Sequence, residues 1–120
     1  MKKLSIIIPA FNEEKTISSV IKSVATLEFG RYDFSPEIII VDDGSRDRTF
    51  DCAQEAIYSL KIERYVKLIK HPLNRGKGAA IRTALEAASG DIIAIQDADL
   101  EYNPSDVLRL SSEIARDKAD

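Results

Sequence analysis

The chain has 120 residues, 44% of them hydrophobic, enough for one modest core and too few for two. Its formal net charge is -3 with a pI near 5.2, and its 17 basic residues are scattered without a basic stripe or interleaved aromatics, which argues against a nucleic-acid partner. A single cysteine, Cys52, excludes an internal disulfide and fits a reducing compartment, where it is expected as a small buried hydrophobe.

Met1-Lys2-Lys3 leads into Ile6-Ile7-Ile8, a run that stops at Pro9 and is too short for a signal peptide or a membrane span. Four apolar, β-branched runs follow one another: Leu4 to Ile8, Glu37 to Val41, Val66 to Ile69 and Asp91 to Ile95. Near-continuous apolar strands imply a sheet buried on both faces. The segments between them have helical spacing, with stripes at Ile17, Val20, Ile21 and Val24, at Phe50, Ala53, Ala56, Ile57 and Leu60, and at Ile81, Ala84, Leu85 and Ala88. The order is β-α-β-α-β-α-β, then a helix from about Ser105. This predicts an α/β fold with an open, mostly parallel sheet, right-handed crossovers putting helices on its two faces. Asn12, before Glu13 and Glu14, reads as a helix cap, Gly90 as the turn before the fourth strand, and Pro104 as an early helical position. Tyr58, Tyr65 and Tyr102 read as amphipathic packing residues. The polar run Glu113 to Asp120 reads as a helix still in progress, so a longer parent chain is expected.

In such sheets ligands bind at the carboxyl ends of the strands. After the first strand, Pro9 stiffens the turn, Phe11 offers a flat face, and Glu13 suits ribose hydroxyls, although a turn, a core aromatic and a helix-start acid fit the same residues. After the second come Asp42 and Asp43, whose mutual repulsion of about 1 to 4 kcal/mol at 4 Å calls for a compensating donor such as a base N–H. Ser45 or Asp47 would cap the following helix. The third loop, Asn74-Arg75-Gly76-Lys77-Gly78, enters a helix with amides and a lysine able to face phosphate, or is simply a glycine-rich helix entry. It matches neither a dinucleotide fingerprint nor a Walker sequence. After the fourth strand, Asp97 and Asp99, separated by the small Ala98, can reach one divalent ion and leave positions for diphosphate oxygens, with Glu101 continuing the spacing. His71, without a second histidine or cysteine nearby, gives little support to a zinc site or a histidine-based nucleophile.

Taken together, Ile6 to Glu13, Val41 to Ser45, Asn74 to Gly78 and Gln96 to Glu101 resemble the family-2 glycosyltransferases, nearest to the polyprenyl-phosphate sugar transferases of the dolichol-phosphate mannose or glucose synthase kind. The resemblance implies a GT-A, Rossmann-like nucleotide-diphospho-sugar transferase fold, truncated, with residues 1–120 as its N-terminal nucleotide-sugar-binding part and the acceptor half missing. It implies an inverting hexosyltransferase using Mg2+ or Mn2+ to move a sugar from UDP- or GDP-sugar to an acceptor such as a polyprenyl phosphate, as in cell-envelope glycan synthesis, in the cytoplasm or at the cytoplasmic membrane face. Carried over by position, Pro9, Ala10, Phe11 and Glu13 would meet base and ribose, and Val41 and Asp43 the base. Lys77 adds a phosphate-facing cation. Asp97 and Ala98 would lie along ribose and diphosphate, and Asp99, Glu101 and Asp97 would serve the metal of this DXD motif, supporting leaving-group departure. Phe11 stands where the family more often has Tyr, keeping a stacking face without the hydroxyl. No catalytic base is assigned.

Three rival readings differ at identifiable positions. A nucleotidyltransferase needs a glycine-rich first loop, where this chain has Pro9-Ala10-Phe11-Asn12. A phospho-receiver domain needs its acidic pair after the first strand, and here Asp42 and Asp43 follow the second. A non-catalytic sugar-nucleotide-binding module shares every feature of this segment, and activity of the parent chain distinguishes it.

Overall fold

The apolar runs become four strands in the computed structural model, which describes residues 1–99 and 103–119. β1 (Lys2–Ala10) and β2 (Phe34–Asp42) are long, and β3 (Val66–Lys70) and β4 (Ile92–Ile95) are short. All pairings are parallel, in the order β3-β2-β1-β4, with Ile6 beside Ile38 on one side and Ala94 on the other. β1 does not stop at Pro9, as the sequence suggests, but pairs with β2 through Ala10. Pro9 sits past the last β1–β4 pair, Ile7 with Ile95, so on that side its missing N–H costs no ladder bond.

Among the described residues four α-helices complete the layers: α1 (Ile17–Ala25), α2 (Thr49–Leu60), α3 (Lys77–Ala87) and α4 (Pro104–Ala119). Side chains alternate across a strand, so Leu4, Ile6, Ile8, Ile38 and Ile40 face α1, α2 and Leu108 of α4, while Ile7, Ile39 and Val41 face α3. The α1 stripe Ile17, Val20, Ile21 and Val24 is fully buried, as its spacing requires. In α2, Ala53 and Ile57 are buried, with Ala56 and Leu60 packed beside them.

Several expectations give way to the packing. Of the expected α3 stripe, Ala84 is buried and Ala88, although extended past the helix end, packs against the same core, whereas Leu85 is 44% exposed and Ala79 and Ala80 complete the buried face. Small side chains let α3 lie close on β1 and β2, so residue size misjudged Leu85. Asn12 caps no helix: it has φ 52°, and α1 begins at Ile17 after Thr16. Tyr58 is 77% exposed, whereas Tyr65 packs on the core. Cys52 is partly buried against that core. Tyr102 lies outside the described residues.

At the amino ends of the strands a buried carboxylate organises the sheet. Glu37 on β2 accepts hydrogen bonds from the Ser5 hydroxyl of β1 (2.7 Å), the Ser89 N–H (2.9 Å) and the Ser89 hydroxyl (2.9 Å), with Lys67 Nζ of β3 at 3.4 Å. Gly90 N–H donates to Ser5 Oγ at 2.9 Å. A Cβ at Gly90 would overlap Ser5 Oγ and come within 2.8 Å of Ser5 N, so glycine is required by close approach.

Candidate functional site

Parallel pairing delivers every strand-end loop to the same edge of the sheet. The loops after β1 and β2 are stitched together: Asn12 N–H donates to Ser45 Oγ (2.9 Å), Arg46 N–H to Asn12 Oδ1 (2.9 Å), Glu13 N–H to Thr49 Oγ1 (2.8 Å) and Arg48 N–H to Glu14 Oε2 (3.1 Å). Asp47 accepts the N–H of Thr49, the first residue of α2, at 2.9 Å, so it serves the helix start. The stitching fixes the backbone around Phe11, a residue left 41% exposed.

The acidic pair after β2 divides its work. Asp42 is 1% exposed and accepts Ser45 N–H at Oδ1 (3.1 Å). Its Oδ2 has no hydrogen-bond partner among the described residues. Asp43, 2% exposed, accepts four donors: His71 Nδ1 (2.8 Å) and Arg75 N–H (2.9 Å) at Oδ1, and Gly76 N–H (2.8 Å) and Asn74 Nδ2 (3.1 Å) at Oδ2. Burial pushes its carboxyl pKa up, but the His71 hydrogen bond, the Arg75 and Gly76 amides and the His71 charge bring it below the ordinary value. The compensation expected for the pair thus reaches Asp43 from the third loop and Asp42 from Ser45 of its own loop. Gly44, at φ 72°, makes the same junction tight, since a Cβ there would overlap Leu73 C and Asn74 N.

The fourth loop turns immediately after β4. Gln96 N–H extends the ladder to Ile7 O (2.8 Å), and Thr16, just before α1, donates its hydroxyl to Ala98 O at 2.6 Å. Lys77 Nζ lies 2.5 Å from Asp97 Oδ1. Glu13 has its pKa raised, by burial first and then by the charge of Asp99, with Asp47 and Asp97 adding to it against the Thr16 hydrogen bond. That dependence records how closely these acids gather.

Between the loops lies a cleft of about 240 Å³ lined by Pro9, Ala10, Phe11, Glu13, Asp43, Asn74, Gly76, Lys77, Ala80, Asp97, Ala98 and Asp99. Nine of the residues singled out from the sequence therefore share one wall system. Val41 does not: its side chain is buried against α3. Glu101 lies outside the described residues. Asn74, Gly76 and Ala80 join the lining, and Thr16 and His71 support it from behind. The sequence offers no periodic signal for Thr16, and His71 looks solitary until folding brings Asp43 to it.

Asp97 and Asp99 supply hard oxygen donors two residues apart on this wall, chemistry that suits a divalent cation with further positions open to water and phosphate oxygen. The ammonium of Lys77 against Asp97 indicates that the wall accepts positive charge. Among the described residues, no three His, Cys, Asp or Glu side chains form a metal-binding group by themselves, and no helix is long and apolar enough to cross a membrane.

Comparison with known proteins gives a consistent answer. The glycosyl transferase family 2 profile matches residues 5–120. The chain is 32% identical over 118 residues to the dodecaprenyl-phosphate galacturonate synthase of Rhizobium johnstonii, covering 98% of this chain and 34% of that protein. It is similar to the solved structure of the mannosyltransferase PcManGT from Pyrobaculum calidifontis in complex with GDP-Man and Mn2+, with TM-score 0.76, 25% identity, and 94% and 31% of the two chains covered. It is also similar to glucosyl-3-phosphoglycerate synthase from Mycobacterium tuberculosis in complex with Mn2+, UDP and phosphoglyceric acid, with TM-score 0.63, 34% identity, and 81% and 33% covered. The chain spans about a third of the length of these relatives. Because the family match runs from Ser5 to Asp120 and includes every residue of the cleft, the chain belongs to glycosyl transferase family 2 and has the GT-A fold of these neighbours.

Proposed function

We propose that the cleft is the donor site of an inverting, metal-dependent sugar transferase, residues 1–120 being the nucleotide-sugar-binding part of its GT-A domain. The supporting observation is the convergence of all four strand-end loops on one cleft, with the Phe11 ring on one wall and Asp97-Ala98-Asp99 on another. Phe11 stacks on the base, Glu13 takes the ribose hydroxyls, and Asp43 meets a base N–H at Oδ2, where the Asn74 amide is the longest of its four partners and the one on a movable side chain. Pro9 and Ala10 form the floor. Asp99 and Asp97, with Glu101, hold Mg2+ or Mn2+. The bound ion supplies charge neutralisation for the departing diphosphate. Lys77, at the start of α3, turns from Asp97 to the phosphates, where the helix amides favour the same charge.

The relatives support a UDP- or GDP-sugar donor, since GDP-Man and Mn2+ accompany one neighbour and UDP and Mn2+ the other. The polyprenyl-phosphate name of the Rhizobium relative supports a lipid-phosphate acceptor, met at the cytoplasmic membrane face. The test is calorimetric titration of UDP and GDP into the chain, with and without Mn2+, alongside Asp99→Ala. Metal-dependent binding of one nucleotide, weakened at least tenfold in the variant, is the expected result. Binding by a folded sample that ignores both metal and the substitution would refute the proposal.

A further inference from the structure

We infer that His71 is a positioning residue of this cleft: locked between Asp43 and Thr83, its ring sets the Asp43 carboxylate and, through it, the loop from Asn74 to Lys77 that forms one wall. The consequence for nucleotide binding rests on the donor-site reading; the geometry does not.

His71 is 4% exposed and both ring nitrogens are engaged, Nδ1 with Asp43 Oδ1 and Nε2 with Thr83 Oγ1, each at 2.8 Å. An ionised carboxylate accepts only, so Nδ1 carries the proton that bridges to Asp43, while Nε2 shares a hydrogen with the Thr83 hydroxyl. The backbone is held as well. His71 N–H donates to Asp42 O at 2.8 Å, and Pro72 restricts the residue before it to extended conformations. A ring fixed at both nitrogens, on a backbone fixed at both ends, gives Asp43 one orientation.

That orientation matters because the other donors to Asp43 belong to the cleft wall. With Oδ1 held by His71 and Arg75 N–H, Oδ2 is turned toward Gly76 N–H and the Asn74 amide. Without the ring, the Arg75 and Gly76 amides and the Asn74 side chain are the remaining donors to the carboxylate, so Asp43 and the loop keep each other but lose the tie to a fixed third point, and those charge-assisted bonds open more readily. Thr83 lies on α3, whose first residue is Lys77. The same imidazole therefore ties the loop and the helix that follows it to the end of β2.

The test uses three substitutions with different surviving atoms. In His71→Asn the side-chain amide replaces Nδ1; in His71→Gln it replaces Nε2; His71→Leu keeps neither. Hydrogen exchange of the Arg75 and Gly76 amides is measured in the nucleotide-free chain, and UDP and GDP are titrated with Mn2+. The expected result is exchange at least tenfold faster and nucleotide affinity at least tenfold weaker in the Gln and Leu variants, with the Asn variant within threefold of wild type in both. Equal behaviour of the Asn and Gln variants, or unchanged exchange in all three, would overturn the assignment. A wild-type chain that binds neither nucleotide would remove the donor-site reading, while the exchange pattern alone would still decide for or against His71 as the clamp.

Discussion

Burial by itself would raise the pKa of Glu37, yet the Ser89 N–H, the Ser5 and Ser89 hydroxyls and the nearby Lys67 bring it from the ordinary 4.5 down to about 2. A difference of that size corresponds to about 3 kcal/mol of folding stability. The folded form holds its proton less tightly than the unfolded chain, so this contribution is present above pH 4.5 and is lost as pH falls toward 2. Denaturant unfolding at a series of pH values should show that loss in the wild-type chain, and Glu37→Gln should flatten the curve in that window. Asp43 and Asp47, both lowered, act in the same sense. Glu13, raised, acts oppositely and destabilises the fold as pH rises through its titration. Gly44 gives a second residue-scale outcome. Its φ of 72° disfavours any side chain by about 1 to 2 kcal/mol, and a Cβ would overlap the backbone of Leu73 and Asn74. Gly44→Ala should cost more than about 2 kcal/mol in a denaturant melt and weaken nucleotide binding through the displaced loop.

Helix α2 ends with Lys61 in the left-handed region at φ 58°, and the N–H of Ile62 reaches back to Ile57 O at 3.3 Å. This is the reversal that glycine makes without strain. Replacing lysine removes about 1 kcal/mol of strain and adds part of that back as unfolded-chain entropy, so Lys61→Gly should gain about 0.5 kcal/mol, or roughly 2 to 4 °C in Tm by calorimetry. Such terminal detail was not legible beforehand, whereas the strands and α1 were, because their apolar runs and stripes leave one arrangement that buries them. On α3 the stripe holds at Ala84 and Ala88 but not at Leu85, because the helix buries the small Ala79 and Ala80 instead. Among the site residues, Asp97, Asp99, Glu13 and Phe11 stood out because strand-end loops concentrate chemistry. His71 and Thr16 did not, since their partners lie 28 and 82 positions away and no local spacing encodes such pairs.

On the scale of the whole molecule, the described sheet has β3 as its outer strand on one flank and β4 on the other. β4 is the last strand of the order, and Ile93 and Ile95, on the α3 side beside Ser5 and Ile7, are 43% and 45% exposed. Among the described residues no strand pairs with the outer edge of β4, and such an edge beside exposed isoleucines invites association. Sedimentation should therefore reveal concentration-dependent self-association of the chain, and the double substitution Ile93→Lys with Ile95→Glu should reduce it without lowering Tm by more than a few degrees. The sheet also works as a measuring rod. Before β4 begins, Ser89, Gly90 and Asp91 are pinned by their N–H groups to Glu37, Ser5 and Lys3, and β4 then runs four residues to the turn bearing Asp97 and Asp99. The reach of those carboxylates into the cleft is thus counted out from an anchor at the amino ends of the strands. One residue inserted after Asp91 would carry the acidic tip forward by about 3.3 Å and exchange the inward and outward faces of the strand, mis-setting the cleft by an edit that touches none of its walls.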